Sequence, residues 1–203
     1  IKQEEPSGIS IPTFDSSELD PYRHPINHSR QFKEDGDFLI ETEEKEVYIS
    51  DGKLVKAWLN MGVRGDDPVT DFQVLRFLKQ LSKLASIRPP FLPEIFEFGI
   101  ATKSSSVYLV SAFIDGLTWS DYQCADFEAK LSLIHSLVSA VEQLHHLGVS
   151  HGDIHPGNVM IESATNSLFI IDIPDFNQAG EEQKNHAYSP EYIDTCSALE
   201  RDI

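Results

Sequence analysis

The chain has 203 residues and a formal net charge of −17, with 33 acidic side chains against 16 lysines and arginines. This charge argues against a surface that binds nucleic acid directly, because such a surface needs clustered positive charge. Hydrophobic residues make up 40% of the sequence, which is enough for the core of one large domain or of two small ones.

The first predicted segment, residues 1–36, contains four prolines and scattered charges without a sustained hydrophobic period. We interpret it as an extended leader or linker. From Phe38 onward, short runs rich in strand-forming residues are separated by acidic residues or by the Asp51-Gly52 dipeptide. This pattern predicts an antiparallel meander of three strands.

A helix and two further strands are expected to complete a first unit over residues 37–114. Apolar residues recur at helical spacing from Val74 to Leu84, behind Pro68, and proline is common in the first turn of a helix. The two strands are predicted within Phe91 to Ile100 and within Val107 to Ile114. The first unit therefore has five predicted strands and one predicted helix.

Residues 115–203 are expected to form a second unit that is rich in helices. A short helix is predicted near Trp119 to Tyr122, and a long helix carries apolar residues from Leu131 to Leu144. Two short apolar strands are expected beside the loop at Val159 to Ile161 and at Leu168 to Ile171.

Cysteine content and hydropathy indicate the cellular compartment that we expect for the protein. The two cysteines are too few for a disulfide framework or a four-sulfur zinc site, which favours a reducing compartment. No stretch approaches the roughly 18 apolar residues of a membrane helix, and the first residues do not resemble a secretion signal. We therefore expect a cytoplasmic protein without a membrane partner, and we interpret the chain as part of a larger protein with flanking domains.

The segment that carries chemistry runs from Ser150 to Asp172. It places Asp153, Asn158 and Asp172 on loops beside the two short strands. Phosphoryl transfer needs a carboxylate near the attacking oxygen and oxygen ligands for Mg²⁺, because the reaction depends mainly on positioning and on neutralising phosphate charge. The alternative is a Pro-Gly turn in which Asp153 and Asn158 only satisfy backbone donors. The three groups together form a more restrictive pattern, which favours the phosphotransferase interpretation.

Residues 151–158 read His-Gly-Asp-Ile-His-Pro-Gly-Asn. This stretch resembles the catalytic loop of the protein-kinase-like superfamily, whose eukaryotic-type members read H-R-D-x-x-x-x-N. The segment Val110 to Gly116 resembles the strand and hinge that contact adenine, and Val55 to Trp58 resembles the third strand with its phosphate-binding lysine. Ser189-Pro190-Glu191 is similar to the A-P-E box, and Asp202 is similar to the buried Asp that braces the catalytic loop. The resemblance covers about residues 38–203.

The resemblance implies an α+β, two-lobed kinase-like fold, with a small antiparallel N-lobe of five strands and a helical C-lobe that is incomplete at its end. It also implies ATP and Mg²⁺ as cofactors. The residues that it assigns are Asp153 for catalysis, Lys56, Ala112 and Phe113 for ATP binding, and Asn158 and Asp172 as metal ligands. We assign neither His151 nor His155 to metal.

Several departures from the kinase pattern concern the nucleotide site. The glycine-rich loop is replaced by Glu41-Thr42-Glu43-Glu44-Lys45-Glu46. Four carboxylates facing a triphosphate would repel it, so this loop points away, cations bridge it, or the nucleotide binds weakly. The helix partner of Lys56 should be a glutamate, yet Asp71 is the only acid between Thr70 and Leu84.

Other departures concern regulation and substrate. Gly152 replaces the arginine that senses a phosphorylated activation loop in many kinases. Asp172-Ile173-Pro174 replaces D-F-G, and Asp175-Phe176-Asn177 is a rival that we rank below it because the predicted strand ends at Asp172. His155-Pro156-Gly157 replaces the usual Lys-Pro-Glu, and His151-Gly152-Asp153 with His155-Pro156-Gly157-Asn158 looks more like aminoglycoside or choline kinases and related atypical kinases.

Three functions follow from these observations. The first is an ATP- and Mg²⁺-dependent kinase, similar to bacterial Ser/Thr protein kinases, that phosphorylates hydroxyl groups of a protein substrate. The second is a pseudokinase, a binding or scaffold module for a partner domain, which the acidic loop favours. The third is a small-molecule kinase.

Overall fold

The computed structural model describes residues 15–28, 37–61, 68–123 and 126–172. The strands and helices of the first lobe are β1 (Arg23–His24), β2 (Asp37–Glu41), β3 (Lys45–Ser50), β4 (Lys53–Trp58), α1 (Pro68–Ile87), β5 (Ile95–Ala101) and β6 (Ser106–Ala112). The strands form one sheet in the order β1-β5-β6-β4-β3-β2. All neighbouring pairs are antiparallel except β1 with β5.

The hairpin of β3 and β4 follows directly from its turn residues. Asp51 and Gly52 both have positive φ, 50° and 69°, as the two central residues of a type I′ turn require. The register runs from Lys45 opposite Trp58 to Ser50 opposite Lys53. The predicted meander is thus present, and its turn fixes which side chains of the two strands share a face.

Part of the predicted leader belongs to the sheet. Residues 16–22 form a 3₁₀ helix, whose Asp15 cap accepts a hydrogen bond from the amide of Ser17. Leu19 is fully buried in the hydrophobic core, and β1 adds a sixth strand where the sequence predicts five. A two-residue strand carries no hydrophobic period, so the sequence pattern does not reveal it.

Helix α1 packs against one face of this sheet. Val74, Leu78 and Leu81 are fully buried there, and Phe77 contacts the Trp58 ring edge-on at 5.1 Å between centroids. Burying one leucine side chain stabilises the folded state by roughly 1.5–3 kcal/mol. This exceeds the side-chain entropy that the leucine loses, so the buried leucines stabilise the packing of α1 on the sheet.

The second lobe contains a small sheet and a long helix. Its elements are β7 (Gly116–Thr118), α2 (Phe127–His146), β8 (Val159–Glu162) and β9 (Leu168–Ile170), and the sheet order is β7-β8-β9. The side chain of Asp126 caps α2 by accepting from the amide of Glu128. Gly148, at φ 64°, follows the end of that helix, where a left-handed residue is expected.

The short helix predicted near Trp119 to Tyr122 is wrong. The carbonyl of Thr118 accepts the amides of Asp121 and Tyr122, which makes a single turn. The amide of Trp119 donates instead to Val159, because the preceding residues pair with β8 as strand β7. Tertiary pairing therefore overrides a local helical pattern.

The core of the second lobe joins α2 to the small sheet. Leu133, Ala140 and Leu144 pack in one cluster with Ile161 and Ile170. Leu84 of α1 and the segment around Phe91 belong to the same cluster, so the two lobes share buried contacts. None of the helices in the described ranges is long and apolar enough to span a bilayer.

Candidate active site

A cavity of about 310 Å³ lies between the two sheets. Its walls on the side of the large sheet include Val47, Leu54 and Lys56, and on the side of the small sheet they include Met160 and Ile170. The cavity also touches Ala112, Phe113, Ile114 and Asp172. Four of the residues predicted for the site, Lys56, Ala112, Phe113 and Asp172, therefore line one cavity.

Lys56 connects the two walls of the cavity. It lies on β4 directly opposite Val47, and its side chain is only 12% exposed. The ammonium group forms an ion pair with the carboxylate of Asp172, which follows β9. Asp172 has φ 63°, a left-handed conformation that aspartate tolerates better than most residues. Asp71, the acid considered as a helix partner for Lys56, is buried in the first turn of α1.

Asp153 and Asn158 lie side by side in the loop before β8. The amide nitrogen of Asn158 donates to the Asp153 carbonyl at 3.0 Å and to the Asp153 carboxylate at 3.3 Å. Asn158 is buried in the 3₁₀ turn Pro156–Asn158. Since its NH₂ group points to Asp153, its oxygen is the atom that remains for a cation.

Two histidine rings form hydrogen bonds with the backbone of this loop. Nδ1 of His151 accepts from the Asp153 amide at 3.2 Å, and Nε2 donates to the Ile171 carbonyl at 2.8 Å. These partners require the neutral Nε2–H tautomer. The ring of His155 caps the 3₁₀ turn by accepting from the Gly157 amide, and its Nε2 lies 3.7 Å from the Asp153 carboxylate.

Backbone contacts bring the loop and Asp172 together. The amide of Ile171, the residue before Asp172, donates to the carbonyl of Asn158 at 2.9 Å. With the His151 contact, this makes two hydrogen bonds between the loop and Ile171. Asp153 and Asn158 do not line the cavity itself but adjoin the corner where Asp172 enters it.

The donor set fits a hard cation that keeps water and phosphate ligands. Asp172 would contribute a carboxylate and Asn158 an amide oxygen, and Mg²⁺ is commonly bound by one or two protein oxygens together with substrate phosphates. Across the described ranges, no group of three His, Cys, Asp or Glu side chains is arranged to hold a metal ion by itself. A Mg²⁺ site formed by Asp172 and Asn158 would not require such a group, because phosphate and water oxygens would complete the coordination.

The four carboxylates of the segment Glu41 to Glu46 do not line the cavity. Glu41, Glu43 and Glu44 are exposed and do not line it. Glu46 is buried on the opposite side of the sheet, where its carboxylate lies 3.1 Å from Nε2 of His28. Of the three alternatives for this loop, the structure favours the one in which its carboxylates point away.

The sequence interpretation missed several residues of the cavity. Leu39 and Met160 line it, and so does Lys45, which lies two residues before Val47 on β3. The alternation of side chains along a strand could have identified Lys45, because residues two apart share a face. Cys124, Ser189 to Glu191, Asp175 to Asn177 and Asp202 lie outside the described residues.

The fold and this arrangement together define a two-lobed protein of the protein-kinase-like class. The model of the ABC1 atypical kinase-like domain matches residues 79–189, which is more than half of the chain. The chain therefore belongs to the ABC1 atypical kinase-like family.

The chain is also similar in sequence to curated proteins that are named as kinases. The chain is 28% identical over 89 residues to the serine/threonine-protein kinase csk1 of Schizosaccharomyces pombe, a match that covers 44% of this chain and 29% of csk1. It is 29% identical over 99 residues to the probable serine/threonine-protein kinase PknB of Lactococcus lactis, covering 46% of this chain and 15% of PknB. The chain thus spans less than a third of either relative.

The structure of PpkA-294 in its apo form has a similar fold. It aligns with a TM-score of 0.51 and 20% sequence identity over 69% of this chain and 56% of the other. At this identity the likeness supports the fold alone.

Proposed function

We propose that this domain is an ATP- and Mg²⁺-dependent phosphotransferase that transfers the γ-phosphate to Ser or Thr hydroxyls of a protein. The observation that carries the proposal is the Lys56–Asp172 ion pair at the cavity, with Asp153 and Asn158 bonded into the adjoining loop. The similarity to proteins named as Ser/Thr kinases supports the substrate class.

The base of the nucleotide fits the apolar part of the cavity. Val47 and Leu54 of the large sheet and Met160 of the small sheet line it, and apolar side chains of this kind suit a flat aromatic ring. In the described part of the chain, the amides of Phe113 and Ile114 donate to no other backbone group. Those amides are the donors that we propose for the edge of the adenine ring.

The phosphates lie toward Lys56 and Asp172 in this proposal. Lys56 contributes a positive charge on a nearly buried side chain, where attraction to phosphate is stronger than in water. The oxygens of Asp172 and Asn158 would hold Mg²⁺, whose chemistry at such a site is the neutralisation of phosphate charge.

Asp153 is the proposed catalytic carboxylate. The carboxylate of Asp153 is oriented by the amide of Asn158, and its backbone is held by His151. It is 42% exposed, so a substrate hydroxyl can reach it. The hydroxyl proton would pass to this carboxylate as the hydroxyl oxygen attacks the γ-phosphorus, and the bond from that phosphorus to the bridging oxygen of ADP would break as ADP leaves.

The direct test is transfer of labelled phosphate by the full-length protein to itself and to casein, followed by phosphoamino-acid analysis. Asp153→Asn, which preserves shape, is expected to lower the rate at least about a hundredfold. Asp51→Asn is the matched control, because it removes one carboxylate at the β3–β4 turn and keeps a residue that suits positive φ. Equal transfer by the wild type and Asp153→Asn would contradict the assigned role.

One observation favours a second function, that of a pseudokinase, which binds a partner, with or without nucleotide, and catalyses no transfer. The amides of Thr42, Glu44 and Lys45 in the β2–β3 turn are bonded within the turn, whereas a glycine-rich loop offers its amides to phosphates. ATP binding with no transfer to any acceptor would support this alternative. Transfer to a small molecule but not to protein would support the third function.

A further inference from the structure

The turn that replaces the glycine-rich loop uses its own polar groups. The hydroxyl of Thr42 accepts the amides of Glu44 and Lys45 at 3.3 and 2.9 Å. The amide and the hydroxyl of Thr42 both donate to the carbonyl of Lys45, at 2.9 and 3.0 Å. Three backbone donors of the turn are therefore engaged, and the turn has no glycine that would let its backbone approach a phosphate closely.

A lysine side chain faces the cavity from the same turn. Lys45 begins β3 and lies directly opposite Trp58, while Val47 lies directly opposite Lys56. Residues two apart on a strand share a face, so Lys45 and Lys56 lie on the cavity side of the hairpin. Both line the cavity.

The residue between Lys45 and Val47 fixes this orientation. Glu46 points to the other face, where it is 6% exposed and lies against the buried ring of His28. Shifting β3 by one residue would move Lys45 to this buried face and turn Glu46 and Tyr48 toward the cavity.

The charge of Lys45 is not engaged by an acid. Its ammonium lies 5.8 Å from the centroid of the Trp58 ring, and no carboxylate within the described ranges forms an ion pair with it. Lys56 differs, since it is paired with Asp172. Lys45 is thus a partly buried cation at the cavity, beside a turn in which the amides of Thr42, Glu44 and Lys45 are already bonded.

We infer that Lys45 is a phosphate-binding residue of this cavity, taking the role of the loop amides. The inference rests on the proposed nucleotide site. An ammonium on a flexible stem can reach a phosphate oxygen without close backbone approach, and it carries three donors and a full charge. A nucleoside di- or triphosphate would then be held by two lysines, one from each strand of the β3–β4 hairpin.

The test compares binding of ATP and of adenosine to the full-length protein by calorimetry in the presence of Mg²⁺. Lys45→Met keeps the apolar stem against Trp58 and removes the charge. It is expected to weaken ATP binding about tenfold or more and to leave adenosine binding unchanged, because adenosine has no phosphate. Lys45→Arg is expected to retain most of the ATP affinity.

Lys53→Met is the matched control. Lys53 is on β4, its ammonium lies 5.4 Å from the Phe96 ring, and it does not line the cavity. The Lys53→Met substitution therefore removes the same charge from a similar aromatic contact, and it is expected to leave ATP affinity unchanged. Melting temperatures without ligand verify that each variant is folded, and Lys45→Gln replaces Lys45→Met if that variant is not.

The outcomes separate this inference from the proposed function. Unchanged ATP binding by Lys45→Met would overturn the inference and leave the nucleotide site standing. Equal weakening of ATP and adenosine, or an equal effect of Lys53→Met, would also overturn it, because the loss would not concern phosphate at this position. If the wild type binds neither ligand, both the inference and the proposed nucleotide site are overturned.

Discussion

The ammonium of Lys56 and the carboxylate of Asp172 are in contact, although one residue lies in the large sheet and the other at the end of the small sheet. The pair joins the two walls of the cavity and neutralises two charges there. A bound Mg-nucleotide offers a new partner to each group, a phosphate to Lys56 and a cation to Asp172. We therefore expect metal and nucleotide to bind cooperatively.

Lys56→Met is expected to weaken ATP binding about tenfold or more with little loss of stability. The affinity falls because a phosphate loses a charged partner. The free energy of unfolding should change by less than about 1 kcal/mol, because Asp172 is 39% exposed and water can solvate it. Calorimetry measures the affinity for ATP, and urea unfolding measures the free energy of unfolding.

Lys79→Met is the control, because it breaks the exposed pair with Glu18 and should leave ATP binding intact. A similar loss of affinity in both variants would contradict the account.

Asn158→Ala should lower both stability and phosphoryl transfer. Asn158 is buried, and its amide nitrogen bonds to Asp153. Its removal leaves the Asp153 carbonyl without this donor and enlarges the space beside it, at a cost of about 1–3 kcal/mol. Urea unfolding measures this change, with the exposed Gln143→Ala of α2 as the control. A change below about 0.5 kcal/mol would show that this hydrogen bond does not order the loop.

Leu19→Ala tests whether part of the predicted leader belongs to the first lobe. Leu19 has no exposed surface and packs in one cluster with Trp58 and Phe77. A cavity at this position is expected to cost about 2–5 kcal/mol, whereas the exposed neighbour Ser17 should tolerate alanine. Equal stability of the wild type and Leu19→Ala in urea unfolding would mean that this segment does not pack on the sheet.

Alkaline pH should destabilise the first lobe through Tyr108. Burial, and then the hydrogen bond from its hydroxyl to Glu97 at 2.7 Å, raise the pKa of Tyr108 well above its ordinary value. The unfolded chain loses the phenolic proton near pH ~10 while the folded chain keeps it. The stabilisation is therefore complete below about pH 10 and decreases as the pH rises above it, by up to about 1.4 kcal/mol per pH unit.

Urea unfolding between about pH 8.5 and 11 tests this pH dependence. Tyr108→Phe has no proton to lose at this position, so its stability should fall less steeply above pH ~10 than that of the wild type. Parallel curves for the two proteins would contradict the account.

Strong local patterns were enough to predict the main elements of the fold. The Asp51-Gly52 turn fixes the β3–β4 hairpin, and the helical spacing of leucines identifies α2. Strands β1 and β7 were not predicted, because two or three residues carry no period of their own and form strands only by pairing with β5 and β8.

Local motifs in the sequence identify some residues of the candidate site, whereas the parts of the site that depend on contacts between separate elements are not predicted. The resemblance to the catalytic loop identifies Asp153 and Asn158, and the end of the second short strand identifies Asp172. In the structure Asp172 lines the cavity, and the carbonyl of Asn158 accepts the amide of the residue before Asp172. The sequence alone does not determine where the carboxylates of Glu41 to Glu46 point, because this depends on the register of β3 and on the buried contact between Glu46 and His28. Such a contact joins residues from separate elements and leaves no local pattern in the sequence.

The most direct test of the account is the affinity of the full-length protein for ATP, measured by calorimetry with and without Mg²⁺, in the wild type and in Asp172→Asn. We expect the wild type to bind ATP at least about tenfold more tightly with Mg²⁺ than without it, a difference of about 1.4 kcal/mol. Asp172→Asn should lose most of this dependence on metal because its amide is a weaker ligand for a hard cation. Equal dependence on Mg²⁺ in both proteins, or no binding of ATP by the wild type, would contradict a metal-assisted nucleotide site between the two sheets.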